Sequence, residues 1–161
     1  MAPDSGDAGF GVIPPEKART TDALTLFQEM LAGRLPAPPI ARTLGFRMSE
    51  VERGRVVFSY EPVFDHYNPL GTIHGGIAAT LLDSVMGCAI HSTLKAGSGF
   101  TTLEIKVNYV RAMTDKTGTV KAEGKINNVG SRIATAEGRL FDGAGKLLAH
   151  GTTTCLILSL Q

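Results

Sequence analysis

Residues 68–83 bring together two groups that could act on a polarised carbonyl. Asn68-Pro69-Leu70-Gly71-Thr72-Ile73-His74-Gly75-Gly76 is a turn-rich loop. Ile77-Ala78-Ala79-Thr80-Leu81-Leu82 continues it as an apolar run that ends on a carboxylate, Asp83. Aspartate is disfavoured inside helices because its short side chain competes for backbone hydrogen bonds, and burying it unpaired costs more. A carboxylate kept in that position is a candidate general base or nucleophile. The bare backbone at Gly75 and Gly76 opens the first N–H groups of the following helix to a ligand. Those groups and the helix dipole favour a developing negative oxygen.

The elements that hold these residues follow from the pattern. His74 to about Lys95 reads as one long helix. At roughly 100° per residue, Ile77, Ala78, Leu81, Leu82, Val85, Met86, Cys88 and Ala89 fill an apolar arc wider than a surface helix needs. The remaining sector holds Gly76, Thr80, Asp83, Ser84, Gly87 and His91. Gly87, one turn after Asp83, is expected to leave open space beside the carboxylate. Gly75 and Asp83 lie about 12 Å apart at 1.5 Å per residue, too far to serve one reacting atom. A symmetric dimer, with the carboxylate arriving from a second copy of the helix, removes that difficulty.

Around this helix the chain reads as strands. Leu44–Val51 and Val56–Tyr60 flank a turn at Glu52-Arg53-Gly54-Arg55, and Glu61–Ile73 is a long loop. Phe100–Val110 alternates, with Leu103, Ile105, Val107 and Tyr109 on one face and Thr102, Glu104, Lys106 and Asn108 on the other. Thr119–Asn127, Ile133–Phe141 and Leu147–Leu158 follow. Runs of strands around one long helix predict an α+β fold with an antiparallel sheet. Upstream, residues 1–15 are expected to be a disordered tail. Residues 16–39 hold an N-terminal helix over Thr21–Leu35 and an extended linker from Pro36-Ala37-Pro38-Pro39, and 40–161 form the main domain.

Composition bounds the rest. With 43% hydrophobic and 19% charged residues over 161 positions, the chain reads as globular and folded. A net charge of +1 gives no basic excess for a phosphate backbone, so no nucleic-acid partner is expected. Cys88 and Cys155 stand outside any metal-ligand spacing, so no metal is expected. Neither a signal peptide nor a bilayer-length apolar run is read, and the cytoplasm is the expected compartment. Arg111, Lys125 and Arg132 are solvated cations or contacts to a phosphorylated ligand.

The run N-P-x-G-T-x-H-G-G-x-x-A-x-L-x-D resembles the hotdog-fold acyl-CoA thioesterases of the PaaI (phenylacetic acid degradation) type, within the 4-hydroxybenzoyl-CoA thioesterase superfamily. The resemblance covers about residues 40–159, including T-x-E-I-K-V-N-Y-V-R and N-V-G-S-R…D-G-x-G-K-L-x-A-H-G. It implies a long central helix wrapped by a curved antiparallel sheet, with an extra N-terminal helix on this chain. It implies an acyl-CoA substrate, no cofactor, and a homodimer with active sites at the subunit interface, paired into a tetramer as a dimer of dimers. By position, Asp83 resembles the nucleophile or general base and Gly75 the oxyanion donor. Asn68 resembles the side chain orienting the water or carbonyl, His74 the loop brace, and Thr102, or its neighbour Thr101, the hydroxyl beside the carboxylate. Gly76, Thr101, Gly87, Arg111 and Arg132 are the expected substrate contacts. The acyl group would be aryl, arylacetyl or medium-chain. The alternatives are a non-catalytic acyl-CoA sensor and a dehydratase, whose His/acid pair matches this pattern poorly.

Overall fold

The computed structural model describes residues 9–160. Three short helices come first: α1 (Pro15–Thr20), α2 (Ala23–Leu31) and α3 (Pro39–Leu44). Then come β1 (Phe46–Glu52), β2 (Arg55–Tyr60), α4 (Gly75–His91), β3 (Ser98–Tyr109), β4 (Val120–Val129), β5 (Ile133–Phe141) and β6 (Leu147–Ser159). All strand pairs are antiparallel, in the order β1-β2-β4-β5-β6-β3. This is the expected α+β architecture, one long helix lying on an antiparallel six-stranded sheet.

Packing of α4 sets the whole arrangement. Leu81, Leu82, Val85, Met86 and Ile90 are buried against the sheet. The backbone of α4 comes so close that a Cβ at Gly124 of β4 would lie 2.3 Å from the Val85 carbonyl oxygen. Only glycine fits there, and the sheet curves around the helix at that point.

The N-terminal region departs from the expected single helix. Asp22 caps α2, accepting from Thr25 N at 3.1 Å and Thr25 Oγ1 at 2.8 Å, so the helix starts at Ala23 rather than Thr21. It ends at Leu31. The supposed linker holds a further helix, α3, because Pro39 occupies a first-turn position where its missing N–H costs nothing. Gly45, at φ +66°, then turns the chain into β1. The expected tail lies in part outside the described residues. Within them, Gly11 N donates to Ala37 O at 2.9 Å and Pro15 begins α1.

The second departure lies in β3. The register with β6 shifts between Thr102 and Glu104, leaving Leu103 as the extra residue of a bulge. An added residue inverts the alternation. Thr102 therefore faces inward before the bulge and Ile105 and Val107 face inward after it. The two faces expected for this strand were wrong at Thr102 for that reason.

Candidate functional site

The site is built on both ends of one helical turn sequence, beginning with the loop that feeds α4. Asn68 Oδ1 accepts from Leu70 N at 2.9 Å and Thr72 N at 3.3 Å, and its Nδ2 donates to Thr72 Oγ1 at 2.9 Å. Asn68 N donates to Thr72 O at 2.7 Å. This is an Asx-type turn closed on itself. Asn68 thus braces the loop from inside.

His74 is the N-cap of α4. Its Nδ1 accepts from Gly76 N at 2.8 Å, and its own N–H donates to His66 O at 2.8 Å. The Gly76 N–H is therefore taken by the cap, while the Gly75 N–H has no acceptor among the described residues. Tyr109 of β3 fixes this corner: its hydroxyl donates to Gly75 O at 3.1 Å. A Cβ at Gly75 would come within 3.1 Å of the Tyr109 ring. A cavity of about 300 Å³ opens here, lined by Asn68, Thr72, Gly75, Tyr109, Arg111 and Met113 among others.

Two turns along α4 stands Asp83. It is half-buried and accepts from Thr102 Oγ1 at 2.8 Å. The bulge in β3 delivers this hydroxyl; Thr101, one residue earlier, is exposed on the opposite face and pairs with Leu156 rather than Cys155. Beneath lies Cys155, its Sγ 3.9 Å from Thr102 Oγ1 and 3.8 Å from Thr153 Oγ1. Burial pushes the Cys155 thiol up, and the Asp83 charge adds to that, against the hydrogen bonds from Thr153 and Thr102. Burial likewise pushes Cys88 up to about 12, with Asp83 contributing. Both thiols therefore stay protonated at neutral pH.

Gly87 does not leave open space beside Asp83. A Cβ there would sit 2.6 Å from the Phe100 ring, which fills the gap. Phe100 lies edge-on to His91, and His91 to Phe27 of α2, with centroids at 5.4 and 5.6 Å. This packing lowers the His91 pKa by burial, and its Nε2 lies 3.2 Å from Ser98 O.

The two expected arginine contacts are not neighbours. Arg111 N donates to Leu148 O, whereas Arg132 O accepts from Ile157 N. Along β6 those partners are nine residues apart, roughly 30 Å at 3.3 Å per residue. Arg111 lies with the Gly75 cavity; Arg132 lies at the far end of the sheet. Lys125 is engaged with Glu123 at 2.9 Å on the outer side of the sheet. Sequence reasoning missed Tyr109 and Thr72. In the sequence Tyr109 is one position of an alternation, and its contact depends on where β3 ends.

The fold, a helix wrapped by an antiparallel sheet with a hydroxyl-paired carboxylate on the helix, defines the class as a hotdog protein. The family model of the thioesterase superfamily matches residues 70–149. A solved protein of that superfamily is 31% identical, covering 73% of this chain and 88% of its own, with a TM-score of 0.65. A phenylacetic acid degradation-related protein of Ralstonia eutropha JMP134, described as a thioesterase, is 29% identical. It covers 81% of this chain and 98% of its own at a TM-score of 0.73. Human acyl-coenzyme A thioesterase 13 is 26% identical over 130 residues, 79% of this chain and 91% of that protein. A protein of Halobacterium salinarum described as an esterase is 34% identical over 80 residues, 48% of this chain. This chain spans 51% of that relative's length. The chain belongs to the thioesterase superfamily.

Among the described residues no helix is long and apolar enough to cross a membrane.

Proposed function

We propose that this chain hydrolyses an acyl-CoA thioester to coenzyme A and a carboxylic acid. The observation that carries the reading is the pairing of Asp83 with Thr102 on the helix whose first turn presents the Gly75 N–H. In the proposed reaction the thioester oxygen accepts from Gly75 N–H, which stabilises the charge that develops on it. Asp83 acts by one of two routes. As general base it takes a proton from water, whose oxygen bonds to the carbonyl carbon; the C–S bond then breaks and the proton passes to the leaving thiolate. As nucleophile it bonds to the carbon itself, expels the thiolate and forms an anhydride that water cleaves. After a single turnover in ¹⁸O-water, label found in Asp83 identifies the anhydride route, with water cleaving at the aspartyl carbon. Thr102 holds the carboxylate toward the carbonyl. Asn68 keeps the loop shaped and His74 holds the Gly76 N–H, so that the Gly75 N–H alone points outward.

Because Gly75 and Asp83 are about 12 Å apart along one helix, the working site is proposed to combine the loop of one subunit with Asp83 of its partner. The exposed edge of β3 supports this. It is a 12-residue edge strand carrying Leu103 and Tyr109, 56% and 60% exposed, the kind of edge that pairs with another strand. A homotetramer built as a dimer of dimers and a cytoplasmic location complete the reading. Arg111 beside the Gly75 cavity is proposed to meet a coenzyme A phosphate. Arg132 would reach that ligand only from another subunit. The name of the human relative supports coenzyme A as the carrier, and that of the Ralstonia protein supports arylacetyl groups among the acyl candidates.

The test is Asp83→Asn assayed on a panel of phenylacetyl-, hydroxybenzoyl- and medium-chain acyl-CoAs. The reading requires hydrolysis by the wild type and its collapse in the variant. Binding without hydrolysis by the wild type would instead identify an acyl-CoA sensor.

A further inference from the structure

The two edge strands of the sheet, β1 and β3, are finished differently. β1 is short, shifts register between Met48 and Glu50, and has α2 and α3 packed against it. It also carries Arg47, Glu50 and Glu52. Short length, a bulge, charge and a covering helix are the usual protections of an edge. β3 runs for 12 residues and pairs only with β6 among the described residues. Its Ile105 and Val107 face inward against the core and yet are only half-buried.

Both halves of the candidate site are anchored to this one strand. Tyr109 donates to Gly75 O at 3.1 Å, and Thr102 donates to Asp83 Oδ1 at 2.8 Å. Both side chains reach α4, so both lie on the inward face. A second β3 added antiparallel along the free edge sets residues opposite one another in fixed pairs. Opposed side chains stand about 5 Å apart. Setting Tyr109 opposite the partner's Thr102 therefore brings the Gly75 corner of one subunit up to Asp83 of the other. Leu103, the bulge residue, drops out of the count. Glu104 then opposes Asn108, Ile105 opposes Val107, and Lys106 opposes its own copy. Moving the axis by one residue, to Ile105 or Val107, slides the partner strand by two, about 7 Å, and parts the half-sites.

The pairs made by this register match in kind. On the inward face Ile105 meets Val107 twice, which covers the half-buried pair of each chain. On the outer face two Lys106 ammonium groups oppose each other, which is unfavourable alone. The Glu104 of each chain flanks them, so two carboxylates balance two ammonium groups. We infer that β3 pairs antiparallel with β3 of a second copy of this chain, with the two-fold axis through Lys106. This rests on the two-chain site proposed above and fixes which strand positions complete it.

The experiment is disulfide trapping with Lys106→Cys, Glu104→Cys and Asn108→Cys, all at exposed positions. Each variant is oxidised in air with a copper catalyst and read on a non-reducing gel. Residues opposed on the axis have Cα atoms about 4.5–5.5 Å apart, inside the disulfide range. Glu104 and Asn108 each lie four residues from their own copies, about 14 Å along the strand. Lys106→Cys should give covalent dimer in more than about half of the chains, and the other two alone in under about a tenth. Glu104→Cys and Asn108→Cys should crosslink only when refolded together. The oxidised Lys106→Cys dimer should keep most of the acyl-CoA hydrolysis of its reduced form. A wild type that is monomeric by mass overturns the inference, as do Lys106→Cys yields no higher than those of its neighbours. Hydrolysis lost on oxidation and restored by reductant also overturns it, since the trapped pairing is then not the working one. The predicted crosslinks with no hydrolysis by the wild type would sink the thioesterase reading and leave the register standing.

Discussion

The two halves of the candidate site are held by opposite means. The loop half, Asn68 to Gly76, is tied by its own hydrogen bonds: an Asx turn, a histidine cap and a tyrosine from β3. Among the described residues the carboxylate half has one side-chain hydrogen bond, Thr102 to Asp83, supplied by a bulge in an edge strand. A densely bonded loop fixes a backbone donor in place, where a small displacement ruins the hydrogen bond. A carboxylate that must take and release a proton needs fewer partners, since every hydrogen bond to its charged form weakens it as a base. Substitutions in the loop should therefore act through geometry and stability, and those around Asp83 through chemistry.

The largest effect tests the chemical half. Asp83→Asn should lower kcat by roughly 10²- to 10⁴-fold, the range for a lost general base, with a near-wild-type Tm. A collapse of Tm instead would make Asp83 structural. On the loop side, Gly75→Ala keeps the N–H but forces a Cβ against the Tyr109 ring. Steady-state kinetics should show a loss of about tenfold to a hundredfold in kcat/KM. Tyr109→Ala should relieve part of that loss in the double variant. Thr102→Val should cost about tenfold in kcat, because Asp83 loses the contact that aims it at the carbonyl. Thr102→Ser should restore most of it, and Thr101→Val should stay within about twofold. Equal effects at the two threonines would break the assignment made by the bulge.

Smaller effects should be thermodynamic. His74→Ala removes the α4 cap at about 1 kcal/mol, which calorimetry should register as a Tm lower by roughly 2–4 °C. His91 gives the pH arm. Burial lowers its pKa, so in acid the unfolded chain takes up the proton that the folded chain resists. The stability that goes with neutral His91 is complete above the ordinary histidine value of about 6.5. It declines as pH falls below that value, by at most about 1.4 kcal/mol per unit. His91→Phe should flatten the fall in Tm between pH 7 and pH 5.5; an identical fall would show that other groups cause it.

Much of this was legible in the sequence. The apolar arc of α4 follows from local pattern, and the Thr102–Asp83 partnership from resemblance; that His74 braces the loop by capping α4 shows only in the structure. What was not legible depended on contacts across the fold. The bulge at Leu103 changes parity without changing composition, so alternation alone put Thr102 on the wrong face. Gly87 suggested empty space because nothing local says that Phe100 will fill it. The proline-rich stretch concealed α3 because proline stops one helix and starts another equally well. Arg111 and Arg132 were both expected as ligand contacts, and only the register of β6 shows that they stand at opposite ends of the sheet.

The central claim is that the halves meet across two chains. Mixing Asp83→Asn with Gly75→Val, unfolding together and refolding, tests it directly. Each homodimer alone should be nearly inactive. Random pairing gives hybrids in about half the dimers, each with one intact site, so activity should return to about a quarter of wild type. No recovery, with hybrid dimers verified by mass, would contradict the account and return both groups to a single chain.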